Sequence, residues 1–418
     1  MSGNASMTGK HMRAGGEVSR WRNSSIELLR IVAMLMIIGH HYVVHCGGFN
    51  NPYPPFGPKL LAYLLIFSLG KIGVFLFFGI SAWFLCMETD YSVKKSLKRV
   101  WMLEREVLFY SIILTVTMKL WKPDLIAPDR YLNAMFPIGT SLWWYVTGYA
   151  LFLLIYPFFT LGLRTMGRNM HAALCLIFFI LWGVIAGLSR NVIYGTEAEG
   201  ILDFVFLYTL ITFYRWYLND CTFKRAWLSI ITGFAILAGS ITAMQIAGTM
   251  RHNDELRLHS LYLASSSIKL PVMMAGFGIL ILVTKLDFHS NIINQIAKTT
   301  FGIYLITDFY AVRNVIWNNR FSLLNTYDKT FAIARSIAYI LAVFIVAMLV
   351  DLARQGLFAI TVDRHRGAWF NKIANAATSS RWFRSIWNRL APTRHDAPRC
   401  IQGRPLQSDA DPDASSVE

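Results

Sequence analysis

The chain is a succession of long apolar segments joined by short polar connections. The apolar segments lie at about 26–45, 61–85, 106–121, 140–162, 171–189, 200–217, 227–248, 261–285, 298–317 and 331–355. A bilayer core about 30 Å thick needs roughly 20 apolar residues per helix, so the pattern predicts about ten transmembrane helices. The predicted fold class is an all-α integral membrane protein, built as a bundle of these helices.

Composition supports a membrane rather than a soluble protein. Hydrophobic residues make up 55% of the chain and charged residues 15%, whereas a soluble domain carries roughly 25% charge. The hydrophilic start of the chain has no signal-peptide pattern, so the first helix is expected to act as its own insertion signal. The five cysteines are far apart and give no disulfide or zinc framework. We expect them to be packing residues.

The net charge of +16 does not indicate nucleic acid, because the basic residues lie between apolar segments and not on one basic and aromatic face. If the chain starts in the cytoplasm, 26 Lys and Arg residues fall on the cytoplasmic side and 9 on the external side. Without the long tail the numbers are 16 and 9. The excess predicts that both termini are cytoplasmic. The predicted domains are a basic N-terminal segment (1–25), a transmembrane domain (26–355) and a largely disordered cytoplasmic tail, first basic and then acidic (356–418).

Ionisable residues are concentrated in the first predicted helix, which contains Glu27, Arg30, His40, His41 and His45. Such groups are costly in lipid and usually face a cavity or a partner. Arg30 and His41 are 11 positions apart and so lie on one helix face, about 16 Å apart along the axis. Glu27 and Arg30 can pair at i,i+3, and His41 and His45 share a face at i,i+4.

This spacing allows two interpretations. In the functional one, Arg30 anchors an anion entering from the cytoplasm and His41 is a general base near mid-membrane. In the structural one, these residues only form hydrogen bonds with neighbouring helices. Three histidines at i, i+1 and i+5 do not converge on one point, so no metal site is predicted.

The same residues resemble the membrane acyltransferase 3 family, whose first helix carries Arg, ten intervening residues and His. Similar blocks follow in order: GVFLFFGISAWFL (73–85), KKSLKR (94–99), SLWWYVTGYALFLLIYP (141–157), VFLYTLITFYR and INQIAKTTFGIYLITDFYAVR. The resemblance covers roughly 26–355. The chain departs from the family at Ala82, where Gly is usual, and at Thr307, where His commonly follows GIYLI, so no role of that His is transferred.

The resemblance implies a multi-pass, acyl-CoA-dependent O-acyltransferase of the bacterial inner membrane. Such an enzyme moves an acyl group, usually acetyl from cytoplasmic acetyl-CoA, to a hydroxyl of an exported polysaccharide or glycolipid. Acetyl-CoA is then a donor substrate, and no permanently bound cofactor is expected. The implied partners are the lipid bilayer, the acyl-CoA, the glycan or glycolipid acceptor and separate envelope glycan-assembly proteins.

Within this resemblance, His41 takes the role of general base, and Arg30 anchors the donor with Glu27 orienting it. The donor phosphates are expected near Lys95, Lys98 and Arg99, with Lys94 beside them, and Ser81 is a candidate oxyanion donor. The alternatives are ordinary positive-inside charge for the basic run and a hydroxyl bonded to its own helix for Ser81.

The acceptor side is predicted from ionisable and aromatic residues toward the outer face. The candidates for acceptor binding are His40, His45, Lys71, Trp144, Tyr145, Asp308 and Arg313. Aromatic faces suit sugar rings, but Trp and Tyr at an interface also serve as bilayer anchors.

Two other functions are compatible with charges at mid-membrane. A secondary transporter of a small or lipid-linked molecule would use them along its substrate path, but no inverted internal repeat is evident. A membrane scaffold would carry out no chemistry and would tolerate His41→Ala.

Overall fold

The computed structural model describes residues 10–11, 19–20, 23–45, 54–186, 200–365 and 367–380. The described part is almost entirely helical, with one two-residue antiparallel pairing between β1 (Lys10–His11) and β2 (Ser19–Arg20). The first eight helices are α1 Ser24–Val44, α2 Pro58–Leu85, α3 Val93–Trp121, α4 Arg130–Met135, α5 Trp144–Thr165, α6 Gly167–Phe178, α7 Ile201–Phe213 and α8 Phe223–Met250. The remaining helices are α9 Asp254–Leu258, α10 Leu270–Thr284, α11 Asn291–Ala297, α12 Thr300–Asp308, α13 Tyr310–Asn314, α14 Leu323–Tyr327, α15 Ala332–Ile360 and α16 Ala368–Ser379.

Three helices continue as π-helix, at Phe179–Ile185 after α6, Tyr214–Leu218 after α7 and Val315–Arg320 after α13. Short 3₁₀ turns occur at Pro123–Leu125, His259–Ala264 and Val362–His365.

Seven helices in the described ranges are long and apolar enough to cross a membrane: α1, α2, α5, α6 with its π extension, α7 with its π extension, α8 and α15. The other three predicted segments fall on α3, on α10 and on α12–α13. Helix α3 carries many charges in its first half, α10 has 15 residues, and the third segment is broken into short helices. The all-α membrane fold is therefore confirmed, while the count of ten and the orientation stay predictions.

Two glycines bring α1 and α2 into close contact. A Cβ atom on Gly70 would lie 2.1 Å from Cβ of His40, and one on Gly73 would lie 2.7 Å from the Ala33 carbonyl oxygen. Small residues allow membrane helices to approach without steric conflict. The histidine-bearing part of α1 is thus packed directly against α2.

The start of α1 is fixed by polar contacts with α11 and with the connection between α10 and α11. Asn23 caps α1 by accepting a hydrogen bond from the Ser25 backbone N–H at 2.9 Å, and its amide donates to the Leu286 carbonyl at 2.8 Å. The Ser24 hydroxyl donates a hydrogen bond to Oδ1 of Asn294 at 2.9 Å. These contacts satisfy donors at the helix N-terminus that would otherwise be unpaired.

The segment after α11 is broken within the bundle. Helix α12 ends at Asp308, Phe309 is extended (φ −62°, ψ 123°), and α13 starts at Tyr310. Irregular backbone at membrane depth is tolerated only where it is buried in protein or lines a cavity. The break therefore marks a candidate site, with Asp308 at its edge.

A buried carboxylate joins α3, α12 and α15. Asp351 is fully buried and accepts hydrogen bonds from Tyr110 at 2.6 Å, Arg354 at 2.7 Å and Gln355 at 2.7 Å. A Cβ atom on Gly302 of α12 would lie 1.9 Å from the Asp351 carboxylate, so only glycine fits there. The network fixes the position of α12 and with it that of Asp308.

Contacts divide the chain into two units, Met1–Thr361 and Val362–Glu418. In the second unit, the described structure consists of the 3₁₀ turn and α16. The predicted end of the transmembrane domain at 355 lies inside α15, which continues to Ile360. Most of the predicted N-terminal segment and of the predicted tail lies outside the described residues.

Candidate active site

His41 of α1 and Asp308 of α12 meet inside the bundle. Both are about 8% exposed, and Nε2 of His41 lies 3.7 Å from Oδ1 of Asp308. The other ring nitrogen, Nδ1, is buried and has no hydrogen-bond partner among the described residues. A carboxylate beside one ring nitrogen holds the proton there and leaves the other nitrogen available to accept one. Asp308 lies beside Nε2 of His41 at more than hydrogen-bond distance, so the pair is a candidate general base with an orienting carboxylate.

Arg313 completes this cluster from α13, on the far side of the break. Its Nη1 donates a hydrogen bond to Oδ1 of Asp308 at 3.0 Å. The guanidinium compensates the carboxylate charge, since a buried ion needs a paired partner. The helix break allows Asp308 and Arg313 to face each other although they belong to two different helices.

His45 extends the cluster along α1, with its ring centroid 5.3 Å from that of His41. Ligand atoms of His41, His45 and Asp308 lie within 4.8 Å of one another, a spacing that a metal ion could use. Arg313 already places a positive charge on the same carboxylate. This charge opposes a divalent cation, so the residues fit acid–base chemistry better than metal binding.

His40 and Lys71 lie beside the cluster on the contact with α2. Nδ1 of His40 is 2.7 Å from the Phe67 carbonyl oxygen, so the ring donates to the α2 backbone. Lys71 interacts electrostatically with His40, His41 and His45. The sequence assigned both to acceptor binding, and the structure gives His40 a backbone contact and Lys71 a place beside the histidines.

A row of tyrosines connects the cluster with Arg30. The stacked rings of Tyr145 and Tyr149 have centroids 6.2 Å apart, and Tyr145 is 5.9 Å from Tyr304. Tyr304 lies one turn before Asp308, and its hydroxyl interacts electrostatically with that carboxylate. That hydroxyl has no hydrogen-bond partner of normal geometry among the described residues.

Arg30 stands at the other end of this row. It pairs with buried Glu27 at 3.5 Å, as the i,i+3 spacing predicted. Its guanidinium interacts electrostatically with Tyr145 and Tyr149. Ser81 on α2 interacts electrostatically with Tyr149. Arg30, Ser81 and Tyr145, named separately from the sequence, are thus brought together.

Basic residues surround the end of α2, near the start of α3. Lys95 Nζ is 3.2 Å from Glu88, Arg99 contacts the same carboxylate, and half-buried Lys98 is on the same turns of α3. In this connection, the Ser92 backbone N–H donates to Asp90 and lowers the pKa of that carboxyl. The predicted donor-binding residues therefore share one end of the bundle.

Two further arginines join this end. Arg164 donates to the Glu88 carbonyl at 2.8 Å, and Arg215 donates to the Trp83 carbonyl at 2.5 Å. Arg215 thus pairs with a carbonyl in the last turn of α2, where carbonyl groups lack partners within the helix, and Arg164 binds the connection that follows α2. The sequence pattern identified them only as charges in connections.

Trp144 contacts aromatic neighbours rather than the histidine cluster. Its ring lies 5.7 Å from Tyr145 and 6.5 Å from Phe204. The neighbouring Trp143 is buried and lies 5.9 Å from Phe309 at the helix break. Tyr149, Tyr304 and Trp143 were missed as site residues, although Tyr145 with Tyr149, and Tyr304 with Asp308, show the i,i+4 spacing of a shared helix face.

Apolar membrane-crossing helices around a buried histidine–carboxylate cluster define a multi-pass membrane protein with a candidate acid–base site. The model of the membrane acyltransferase 3 family, described as an acyltransferase domain, matches residues 23–352. The chain belongs to this family and is a membrane acyltransferase. No curated protein and no solved structure gives a significant match.

Proposed function

We propose that this protein transfers an acetyl group from cytoplasmic acetyl-CoA to a hydroxyl of an exported polysaccharide or glycolipid in the bacterial inner membrane. The observation that carries the proposal is the buried pair of His41 and Asp308, because acyl transfer to an alcohol needs a positioned base. The family supplies the acyltransferase class.

In this mechanism, His41 accepts the proton of the acceptor hydroxyl as its oxygen bonds to the thioester carbonyl carbon. The carbon–sulfur bond breaks, and His41 returns the proton to the CoA thiolate. Asp308 keeps His41 in one tautomer and stabilises its protonated form. The 3.7 Å separation is long for a hydrogen bond, and such contacts commonly tighten when substrate is bound.

The donor enters from the end of the bundle that carries Lys95, Lys98 and Arg99. Its phosphates remain there, since basic side chains bind phosphate through charge-assisted hydrogen bonds. The pantetheine arm follows the tyrosine row past Arg30 to His41. The acceptor hydroxyl approaches His41 from the opposite end, with Lys71, His45 and Arg313 nearby.

The direct test is acetyl transfer by the purified protein in nanodiscs that contain envelope lipids, using radiolabelled acetyl-CoA. We expect His41→Ala to reduce transfer by roughly 10²–10⁴-fold, the usual contribution of a general base. His289→Ala, at an exposed histidine between α10 and α11, should retain wild-type transfer. Equal transfer by His41→Ala and His289→Ala would rule out His41 as the base.

A further inference from the structure

An apolar groove lies on the bilayer-facing side of the broken helix. Its cavity volume is about 310 Å³, at the lower end of the roughly 300–1,000 Å³ of small-molecule sites. It is formed by α3, by the segment from α12 through the π-helix after α13, and by α15. Representative lining residues are Met118, Thr307, Val312, Ile316, Ala342 and Val346.

The lining of the groove is suited to hydrocarbon. Thr307 is its one polar residue, and the Thr307 hydroxyl is already bonded to the Ile303 carbonyl at 2.8 Å. Val346 and Val350 on its rim are exposed side chains of a membrane-crossing helix. The groove therefore opens toward lipid, where no water is present to fill it.

The segment that lines the groove also borders the candidate active site. Thr307 lines the groove, while the next residue, Asp308, faces His41. After the break, Val312 and Ile316 line the groove, whereas Arg313 binds Asp308. Trp317 is buried, with its ring 5.5 Å from that of Tyr42 on α1.

We propose that this groove binds the hydrocarbon chain of a lipid-linked acceptor. The proposal rests on the proposed function, because it identifies the acceptor class of the same site. A chain in the groove leaves the polar head at the helix break, where the partly exposed Arg313 and the buried Asp308 lie beside His41. An amphiphile matches this juxtaposition of an apolar groove and a polar cluster, whereas a free polysaccharide has no apolar part to fill the groove.

The groove can be closed without touching the polar cluster. Val346→Trp places a large ring on its rim, and Ile345→Trp is the matched control, since Ile345 is a similarly exposed neighbour outside the lining. A second pair is Ala342→Trp, in the lining, and Ala338→Trp, one turn away on the exposed surface of α15. Because Val346 and Ile345 are both exposed, loss of folding would affect the first pair equally.

The probe is dodecyl glucoside with a photoreactive diazirine in its alkyl chain, added to the full-length protein in phosphatidylcholine nanodiscs. We expect saturable labelling of α15 and α13 that unlabelled dodecyl glucoside suppresses and methyl glucoside does not. Val346→Trp and Ala342→Trp should raise the probe concentration needed for half-maximal labelling by about tenfold or more, as expected when several methylenes lose their contacts. Both control variants should match the wild type.

Labelling that does not saturate, or that the groove variants and their controls share equally, would overturn the proposal and assign the groove to bulk bilayer lipid. Intact, saturable labelling in a protein that transfers no acetyl group would contradict the proposed function and leave the groove as a chain-binding site. The two failures are therefore distinguishable.

Discussion

At the scale of single residues, the site depends on contacts between side chains that are remote in sequence. Arg30, His41 and Asp308 could be selected from the sequence because ionisable residues are rare in apolar segments. The contact between His41 and Asp308 could not be predicted from the sequence, since no periodicity relates residues on α1 and α12. Tyr149 and Tyr304 were missed because aromatic residues are common in membrane helices. They are uncharged, so the search for charged residues in apolar segments did not select them.

The role of Asp308 can be tested by Asp308→Asn, which keeps the side-chain shape and removes the charge. We expect acetyl transfer to fall by on the order of 10²-fold or more, because the amide favours the wrong tautomer of His41. Initial rates with acetyl-CoA at fixed acceptor concentration measure the effect. Asp220→Asn, in the exposed connection before α8, is the control, and an equal rate for both variants would remove Asp308 from the mechanism.

At the scale of elements, hydropathy located most membrane helices because burial in lipid requires long apolar runs. The break after Asp308 was not predictable. No proline or glycine occurs between Thr307 and Asn314, and hydropathy continues through the region. The break coincides instead with side-chain contacts of Asp308: the tertiary contact with His41 on α1 and the ion pair with Arg313 across the two helix ends.

The close packing of α1 and α2 predicts a large effect of Gly70→Ala. The new methyl group would collide with His40, and overpacking of this kind costs about 1–3 kcal/mol or more. The melting temperature in detergent should therefore fall. Gly239→Ala is the control, because open space surrounds Gly239 on α8, and its melting temperature should be unchanged or higher. If Gly70→Ala were equally stable, the helices would not be in the contact described.

The contact between Gly302 and Asp351 predicts non-additive mutations. Gly302→Ala alone should destabilise the protein by steric conflict with the carboxylate, and Asp351→Ala alone by leaving buried Arg354 without that partner. The double variant should be more stable than the sum of the single effects predicts, because Asp351→Ala removes the atoms that collide. Additive losses of stability in denaturant or thermal unfolding would contradict the contact.

At the scale of the whole molecule, composition and the Lys and Arg distribution predicted a multi-pass membrane protein with its basic side in the cytoplasm. Neither the number of crossings nor the orientation follows from helix length alone, since α3, α10 and the broken α12–α13 segment do not meet the length and hydropathy of a simple span. The donor route that we propose from Lys95 and Arg99 to His41 depends on the assembled bundle, because its residues lie on α1, α2, α3, α5 and α12.

The topology can be tested with fusions at the C-terminus. Ten crossings with cytoplasmic termini predict that fused green fluorescent protein will fluoresce and that fused alkaline phosphatase will be inactive, because each reporter functions on only one side of the membrane. The same pair of reporters fused after Met250 should give the opposite result. An active phosphatase at the C-terminus would require an odd number of crossings or the reverse orientation.

The most direct test of the central claim is mass spectrometry of envelope glycans and glycolipids from cells that carry the wild-type gene, no gene or the His41→Ala allele. The account predicts that one acetyl mass per modified hydroxyl is present with the wild-type gene, and absent both without the gene and with His41→Ala expressed at wild-type level. An unchanged acetyl pattern in cells expressing His41→Ala would contradict the account.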